Sequence, residues 1–207
     1  MKGAAIHVNM RAMNLALRKP MSLAEFLEWE ARQPLRHEFD GSAPEAMTGG
    51  TAGHAAIQAN LAAALRARLR GGPCRFFGAD LKVETAQGQI RYPDGFVVCS
   101  PVDRRAILVR DPVVIFEVLS PSTASKDRIV KAREYQATPS VRRYVMLEQD
   151  RVGATVYVRA GEGWTFHVLA EGASLALPEI GAEFPLAELY EGLEFEAEPD
   201  ETPPPGA

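Results

Sequence analysis

From position 57 onward, the segment between Thr51 and the pair Gly71-Gly72 carries a large aliphatic residue at every fourth position. These residues are Ile57, Leu61, Leu65 and Leu69. Residues four apart lie on one face of an α-helix, so the pattern predicts a long helix that Thr51 caps and the glycine pair ends. The earlier segment SLAEFLEWEARQ, residues 22–33, opens with the Ser-x-x-Glu pattern of a capping box and predicts a shorter helix.

Two later segments, PDGFVVCS at residues 93–100 and PVVIFEVLS at residues 112–120, are apolar on both alternating faces. A strand with two apolar faces is covered on both sides, so both segments are expected in the centre of a sheet. A second helix, at about residues 124–137, and a third central strand, RRYVMLEQ, are predicted to follow them.

Shorter strands are predicted on both sides of this centre. Before it, RHEFDGSAPEAM predicts a hairpin that turns at residues 40–44, and CRFFG and LKVET predict strands. After it, ATVYVRA, GWTFHVLA and SLAL alternate as antiparallel strands do, ahead of a short helix at PLAELYEG. The order predicts an α/β or α+β fold in one domain over residues 21–193. It has a mixed central sheet flanked by helices, with additional antiparallel strands toward the C-terminus.

The two ends of the chain lack such patterns. Residues 1–20 are expected to be a disordered arm, and residues 194–207 an acidic, proline-rich disordered tail. The net charge is −4, but six acidic residues and no basic ones follow residue 190. The rest of the chain carries 23 basic residues against 21 acidic ones. Its basic clusters are therefore open to contact with phosphate backbones as well as to simple solvation.

Composition narrows the class of protein. An apolar fraction of 46% and a charged fraction of 24% are typical of a globular domain. No apolar run reaches the roughly 18 residues of a membrane span, and residues 1–20 lack the apolar core of a secretory signal. We therefore expect a cytoplasmic protein without membrane contacts. Cys74 and Cys99 are isolated in the sequence and are expected to be buried thiols, and the scattered histidines make a zinc site unexpected.

Each of the first two central strands carries a carboxylate, Asp94 at the start of one and Glu117 inside the other. If residues 101–111 join these strands as an antiparallel pair, the two acids become neighbours with Cβ atoms about 5 Å apart. Two anions at that distance repel unless a cation lies between them, and such oxygen donors suit Mg²⁺ or Mn²⁺. The alternatives are that Asp94 only closes a turn and that Glu117 belongs to a structural ion pair.

Several motifs occur together in one order. AMTGGT with HAAIQANL precedes RYPD and its apolar strand, and FEVLSPST and KDRIVKAREY follow. In this combination the chain resembles the Uma-type restriction endonucleases, a branch of the PD-(D/E)XK nuclease superfamily, from SLAEFLEWE to PLAELYEG. The resemblance implies a restriction-endonuclease-like fold and a metal-dependent endonuclease, with Mg²⁺ or Mn²⁺ as cofactor and DNA as the substrate.

The resemblance also implies roles for individual residues. Asp94 and Glu117 are the two acids of the superfamily signature, as catalytic residues and metal ligands. The lysine expected two residues after Glu117 is replaced by Leu119, whereas Lys131 matches a catalytic lysine that this branch carries on the following helix. Glu38 in RHEF resembles an early glutamate of the branch and is a further candidate metal ligand.

Other residues are weaker candidates. Asp80 precedes a predicted strand, and Asp127, Lys131 and Tyr135 share one helical face through their i, i+4 spacing. From the spacing alone, the favoured interpretation of Lys131 is a bridge to Asp127 on the helix surface. His54 is interpreted as structural.

The implied reaction is hydrolysis of a phosphodiester bond, in which the ion activates a water molecule and Lys131 orients it or neutralises developing charge. The alternative is a catalytically inactive nucleic-acid-binding or interaction protein that retains the nuclease fold, which Leu119 favours. A homodimer is a further hypothesis, because cutting two strands requires two sites or rebinding.

Overall fold

The structure is a computed structural model and describes residues 20–47, 49–120 and 127–195. Most of the predicted N-terminal arm, and the acidic tail from residue 196, lie outside these residues. The helices in chain order are α1 Leu23–Glu30, α2 Ala52–Arg68 and α3 Ala132–Ala137. A π-helical turn at Asp127–Lys131 leads into α3, and two 3₁₀ turns lie at Pro178–Ile180 and Leu186–Tyr190.

The strands follow in chain order as β1 His37–Phe39, β2 Pro44–Ala46, β3 Arg75–Gly78, β4 Lys82–Glu84, β5 Ile90–Arg91, β6 Gly95–Val98, β7 Leu108–Val109, β8 Val114–Val118, β9 Arg143–Leu147, β10 Gly153–Ala160, β11 Gly163–Ala170, β12 Ser174–Leu177 and β13 Ala182–Pro185. They form one six-stranded, one five-stranded and one two-stranded sheet.

The six-stranded sheet has the order β11-β10-β9-β8-β6-β3. β8 runs parallel to β9 and antiparallel to β6. The other neighbouring strands of this sheet pair antiparallel. β6, β8 and β9 are therefore interior strands, and all their residues are buried. The predictions of a mixed sheet and of an antiparallel β6–β8 pair are confirmed.

A helix covers each face of this sheet. α2 buries Leu61 and Leu65 against a cluster that includes Phe116 of β8, which confirms the predicted apolar stripe. On the other face, α3 buries Tyr135 in a second cluster with Tyr144 of β9. Successive residues of β8 point to opposite faces, so Phe116 packs toward α2 while its neighbour Glu117 points toward α3.

The five-stranded sheet, of order β2-β1-β5-β4-β7, was not predicted as a separate sheet. Its strands are two or three residues long, which is too short to show a hydrophobic period. The predicted hairpin is β1–β2, and its turn is closed by the Asp40 carboxylate, which accepts the backbone N–H groups of Ser42 and Ala43. The chain leaves this sheet at Arg91 and enters the central sheet at Gly95, so the intervening residues lie where the two sheets meet.

The expectation of two buried thiols is wrong, because Cys74 and Cys99 form a disulfide. Arg75 of β3 pairs with Val98 of β6, and the next position of that register brings the two cysteines together. Their separation of 25 positions conceals this pairing in the sequence.

The helical segments near the C-terminal half are less regular than predicted. The described part of the second predicted helix is the π-helical turn followed by α3, and PLAELYEG forms a 3₁₀ turn. Across the described ranges, no helix combines the length and the apolar character that crossing a bilayer requires.

Candidate active site

The antiparallel register of β6 and β8 brings Asp94 and Glu117 to neighbouring positions. Gly95 pairs with Phe116, so the next position of the register sets Asp94 opposite Glu117. The backbone N–H of Val118 donates to Asp94 Oδ2 at 2.6 Å, which ties the aspartate to the end of β8. The sheet thus brings together the two acids that the sequence paired.

The other contacts of Asp94 come from the first two turns of α2. Gln58 Nε2 donates to Asp94 Oδ1, and His54 Nε2 lies 3.2 Å from Asp94 Oδ2. Sequence reasoning missed Gln58 and interpreted His54 as structural. The available signal was the i, i+4 spacing of His54 and Gln58 beside the apolar stripe. This spacing places the two polar side chains on one face of the helix, about one turn apart.

The contacts of Glu117 come from the opposite side of the sheet. Lys131 Nζ and the Tyr135 hydroxyl both lie 3.0 Å from Glu117 Oε1. Burial, followed by the charge of Glu117, raises the pKa of Tyr135 well above its ordinary value. The phenol therefore stays protonated and donates to the carboxylate.

Lys131 occupies a buried position, with a side chain 8% exposed. The predicted helical face is present for Lys131 and Tyr135, whereas the side chain of Asp127 lies outside the described residues. Lys131 does not lie on the solvated surface that the spacing favoured, because it pairs with the buried acids Glu38 and Glu117. Its predicted bridge to Asp127 stays a prediction. Leu119, at the usual lysine position, is buried in the apolar cluster beneath α3.

Glu38 reaches the same lysine from β1. Its Oε1 lies 3.2 Å from Lys131 Nζ, and its Oε2 accepts from Arg91 at 3.2 Å. Arg91 is fully buried and makes two hydrogen bonds of 2.7 and 2.6 Å to Glu134 of α3. Although burial opposes it, the Glu134 hydrogen bonds and the charge of Glu38 raise the pKa of Arg91, which therefore stays charged. Arg91 thus joins β1 to the helix that carries Tyr135.

Asp80 lies apart from this cluster. Its side chain is 87% exposed and forms an ion pair with Arg36 at the surface. The structure therefore joins Glu117, Lys131, Tyr135 and Glu38 in one buried cluster, sets Asp94 at the neighbouring position of the sheet, and leaves Asp80 in solvent.

The side chains of the site suit a hard divalent cation that takes only some of its ligands from carboxylates. Within the part of the chain that the structure describes, no three His, Cys, Asp or Glu side chains are grouped to hold an ion together. Asp94 and Glu117 would supply two oxygen ligands, and Mg²⁺ and Mn²⁺ readily complete such a shell with backbone carbonyls, waters and phosphate oxygens. For Glu38 to become a third ligand, it would exchange its contacts with Lys131 and Arg91 for the ion.

The sequence model of the Uma2 family, described as "Putative restriction endonuclease", matches residues 23–187. The chain belongs to the Uma2 family. Two relatives from Synechocystis sp. bear the names "Uncharacterized protein slr1290" and "Uncharacterized protein sll1609". The first is 33% identical over 178 residues, which cover 84% of this chain and 94% of the relative. The second is 26% identical over 154 residues, covering 72% and 87%.

One solved structure similar to this Uma2-family chain is described as a putative nuclease belonging to DUF820 from Anabaena variabilis. The TM-score is 0.66 at 18% sequence identity, with 83% of this chain and 98% of that chain covered. At this identity the likeness concerns the fold alone. Together with the family match, it confirms the predicted α+β fold of the restriction-endonuclease type.

Proposed function

We propose that this protein is a metal-dependent endonuclease that hydrolyses phosphodiester bonds, with DNA as its substrate. The family description and the nuclease-like fold support this class of reaction. The observation that carries the proposal is the buried contact of 3.0 Å between Lys131 and Glu117. It supplies, from the following helix, the positive charge that position 119 lacks.

Asp94 and Glu117 are the proposed ligands of Mg²⁺ or Mn²⁺, and Glu38 is a further candidate. Such an ion, when bound, polarises the scissile phosphate and lowers the pKa of a bound water. The protein's part is to hold the two carboxylates at adjacent strand ends, and the N–H of Val118 fixes Asp94 there.

Lys131 is the proposed catalytic cation. Because it is nearly excluded from solvent, its charge acts on a phosphate at the site more strongly than a surface lysine would. Tyr135 donates to the same oxygen of Glu117 and fixes the direction of that carboxylate. Glu38 holds Lys131 from the β1 side and is held in turn by Arg91.

DNA would be held through its phosphates, and we propose a homodimer as the species that cuts both strands. The test is a cleavage assay on supercoiled, linear and single-stranded DNA, with Mg²⁺, Mn²⁺ or EDTA. Nicking of supercoiled DNA that requires the metal and is lost in Asp94→Asn supports the proposal. Activity that survives EDTA contradicts it.

A catalytically inactive nucleic-acid-binding protein is the second candidate. It is favoured by Leu119, which is buried where the superfamily signature has lysine, and by the ion pair that already neutralises Lys131. This candidate predicts that DNA is retarded in a gel with no cleavage under any metal condition.

A further inference from the structure

Two side chains of α2, His54 and Gln58, contact Asp94 and have no role in the chemistry proposed above. Each approaches a different oxygen of the carboxylate, Gln58 Nε2 at Oδ1 and His54 Nε2 at Oδ2. Gln58 Nε2 donates a hydrogen bond, and the His54 ring lies within ion-pair distance of the carboxylate. Together with Val118 N–H, they restrict the rotation of the carboxylate about its Cβ–Cγ bond.

The imidazole of His54 is seated by its own surroundings. Thr51 caps α2 by accepting the backbone N–H of His54 at 3.2 Å, and Gln149 Nε2 donates to the same Thr51 hydroxyl at 2.9 Å. A Cβ on Gly50 would lie 2.9 Å from His54 Nδ1 and 3.1 Å from Cγ. The ring therefore packs directly on the backbone of Gly50, and a Cβ there would have to displace the imidazole.

We propose that His54 and Gln58 are positioning residues that hold both oxygens of Asp94 in the orientation that a divalent cation requires, with Gly50 setting the imidazole. The inference rests on the proposed function, because it assigns a purpose to the orientation of Asp94. Groups that orient a metal ligand in this way typically change metal affinity by about 10–100-fold when they are removed.

A structural tie between α2 and the sheet is the competing explanation. It predicts that loss of His54 lowers the melting temperature but leaves the folded protein with unchanged affinity for the ion. Metal affinity, measured on the folded protein without DNA, therefore separates the two explanations.

The glycine pair before α2 offers a matched test that leaves every site side chain in place. A Cβ at Gly50 displaces the imidazole, whereas a Cβ at Gly49 meets nothing within 4 Å, and neither glycine has a positive φ. The variants are Gly50→Ala, with Gly49→Ala as its control, and His54→Ala, with His54→Gln as the conservative change that keeps a donor near the same position. Mn²⁺ binding to the full chain is measured by calorimetry, alongside kcat and KM for plasmid nicking.

We expect Gly50→Ala and His54→Ala to weaken Mn²⁺ binding by about tenfold and to lower kcat with little change in KM for DNA. Gly49→Ala should equal the wild type, and His54→Gln should recover most of the affinity. Equal Mn²⁺ affinity of Gly50→Ala, His54→Ala and wild type would overturn the inference.

A double-mutant cycle on melting temperature, with His54→Ala and Asp94→Asn, separates this inference from the proposed function. If the wild type neither binds Mn²⁺ nor cuts DNA, the proposed function fails. In that case a non-additive shift shows that the contact between His54 and Asp94 is a structural tie, and the positioning role fails together with the metal site. If the wild type binds Mn²⁺ and cuts DNA but the His54 and Gly50 variants bind Mn²⁺ equally well, the inference alone fails and the proposed function stands.

Discussion

Asp94 and Glu117 lie side by side at one end of the central sheet, yet opposite sides of the protein hold them by different means. Asp94 accepts from the amide groups of Gln58 and Val118 and faces His54. Glu117 is buried in an ion pair with Lys131 and accepts from Tyr135. Among the described residues, no lysine or arginine forms an ion pair with Asp94.

The difference separates two roles that a carboxylate can have in one site. The charge of Glu117 is compensated by the protein itself, so its removal disturbs the fold as well as any chemistry. The charge of Asp94 meets two amide donors and the His54 ring instead, and its removal should disturb mainly the binding of a cation. Loss of activity and loss of stability should therefore follow different patterns on the two sides.

The largest effect is expected on the rate of cleavage, which the loss of either acid should lower to a similar extent. Asp94→Asn and Glu117→Gln each remove the charge of a proposed metal ligand with little change of shape, so metal-dependent nicking should fall by about a thousandfold or more. Plasmid nicking over a range of Mn²⁺ concentrations measures it. Full activity in either variant would remove that residue from the metal site.

On the Glu117 side, Lys131→Ala should lower the nicking rate by about a hundredfold, as expected for the loss of one electrostatic contact. Arg133→Ala is the matched control, because Arg133 is an exposed basic residue on the same helix. If both variants cut at the wild-type rate, the buried Lys131–Glu117 pair serves the fold alone.

Stability without metal should distinguish the two acids. Glu117→Gln weakens a buried ion pair and should destabilise the protein by about 3 kcal/mol. Asp94→Asn weakens only hydrogen bonds and should destabilise the protein by about 1 kcal/mol. Urea unfolding in EDTA gives both values. Two acids that merely repel each other around an empty cation site would give the reverse, since neutralising Glu117 would then raise stability.

The smallest effect concerns Tyr135, which shares Glu117 Oε1 with Lys131. Tyr135→Phe should cost about 1 kcal/mol at neutral pH, because the ion pair persists. The raised pKa of Tyr135 also predicts how the stability of the protein changes with pH. Above a pH of about 10 the unfolded phenol ionises while the folded one does not, so stability falls as pH rises further.

In Tyr135→Phe, position 135 carries no proton to lose and no longer contributes to the fall in stability at alkaline pH. Unfolding free energies of Tyr135→Phe between pH 9 and 11 should therefore decline less steeply than those of the wild type, by up to about 1.4 kcal/mol per pH unit. Parallel curves for the two proteins would mean that Tyr135 ionises as readily in the folded state as in the unfolded chain.

Much of the fold could be predicted because it depends on local patterns. Four-residue spacing located α2, and doubly apolar runs located β6 and β8 as interior strands, since the period of buried residues is a property of each segment alone. The connection over residues 101–111 allowed an antiparallel pairing of those strands, which would make Asp94 and Glu117 neighbours, and the register confirms it. The motifs around them also indicated the family.

The remaining features depend on contacts between segments far apart in sequence. Glu38 of β1 meets Lys131 of the π-helical turn although they lie far apart in the sequence. Arg91 joins Glu38 to Glu134, and Cys74 bonds to Cys99. No local period encodes such pairings, because they arise from how strands and helices stack. The sequence by itself determined which side chains could perform the chemistry, and the packing of α2 and α3 on opposite faces of one sheet decided which partner each of them has.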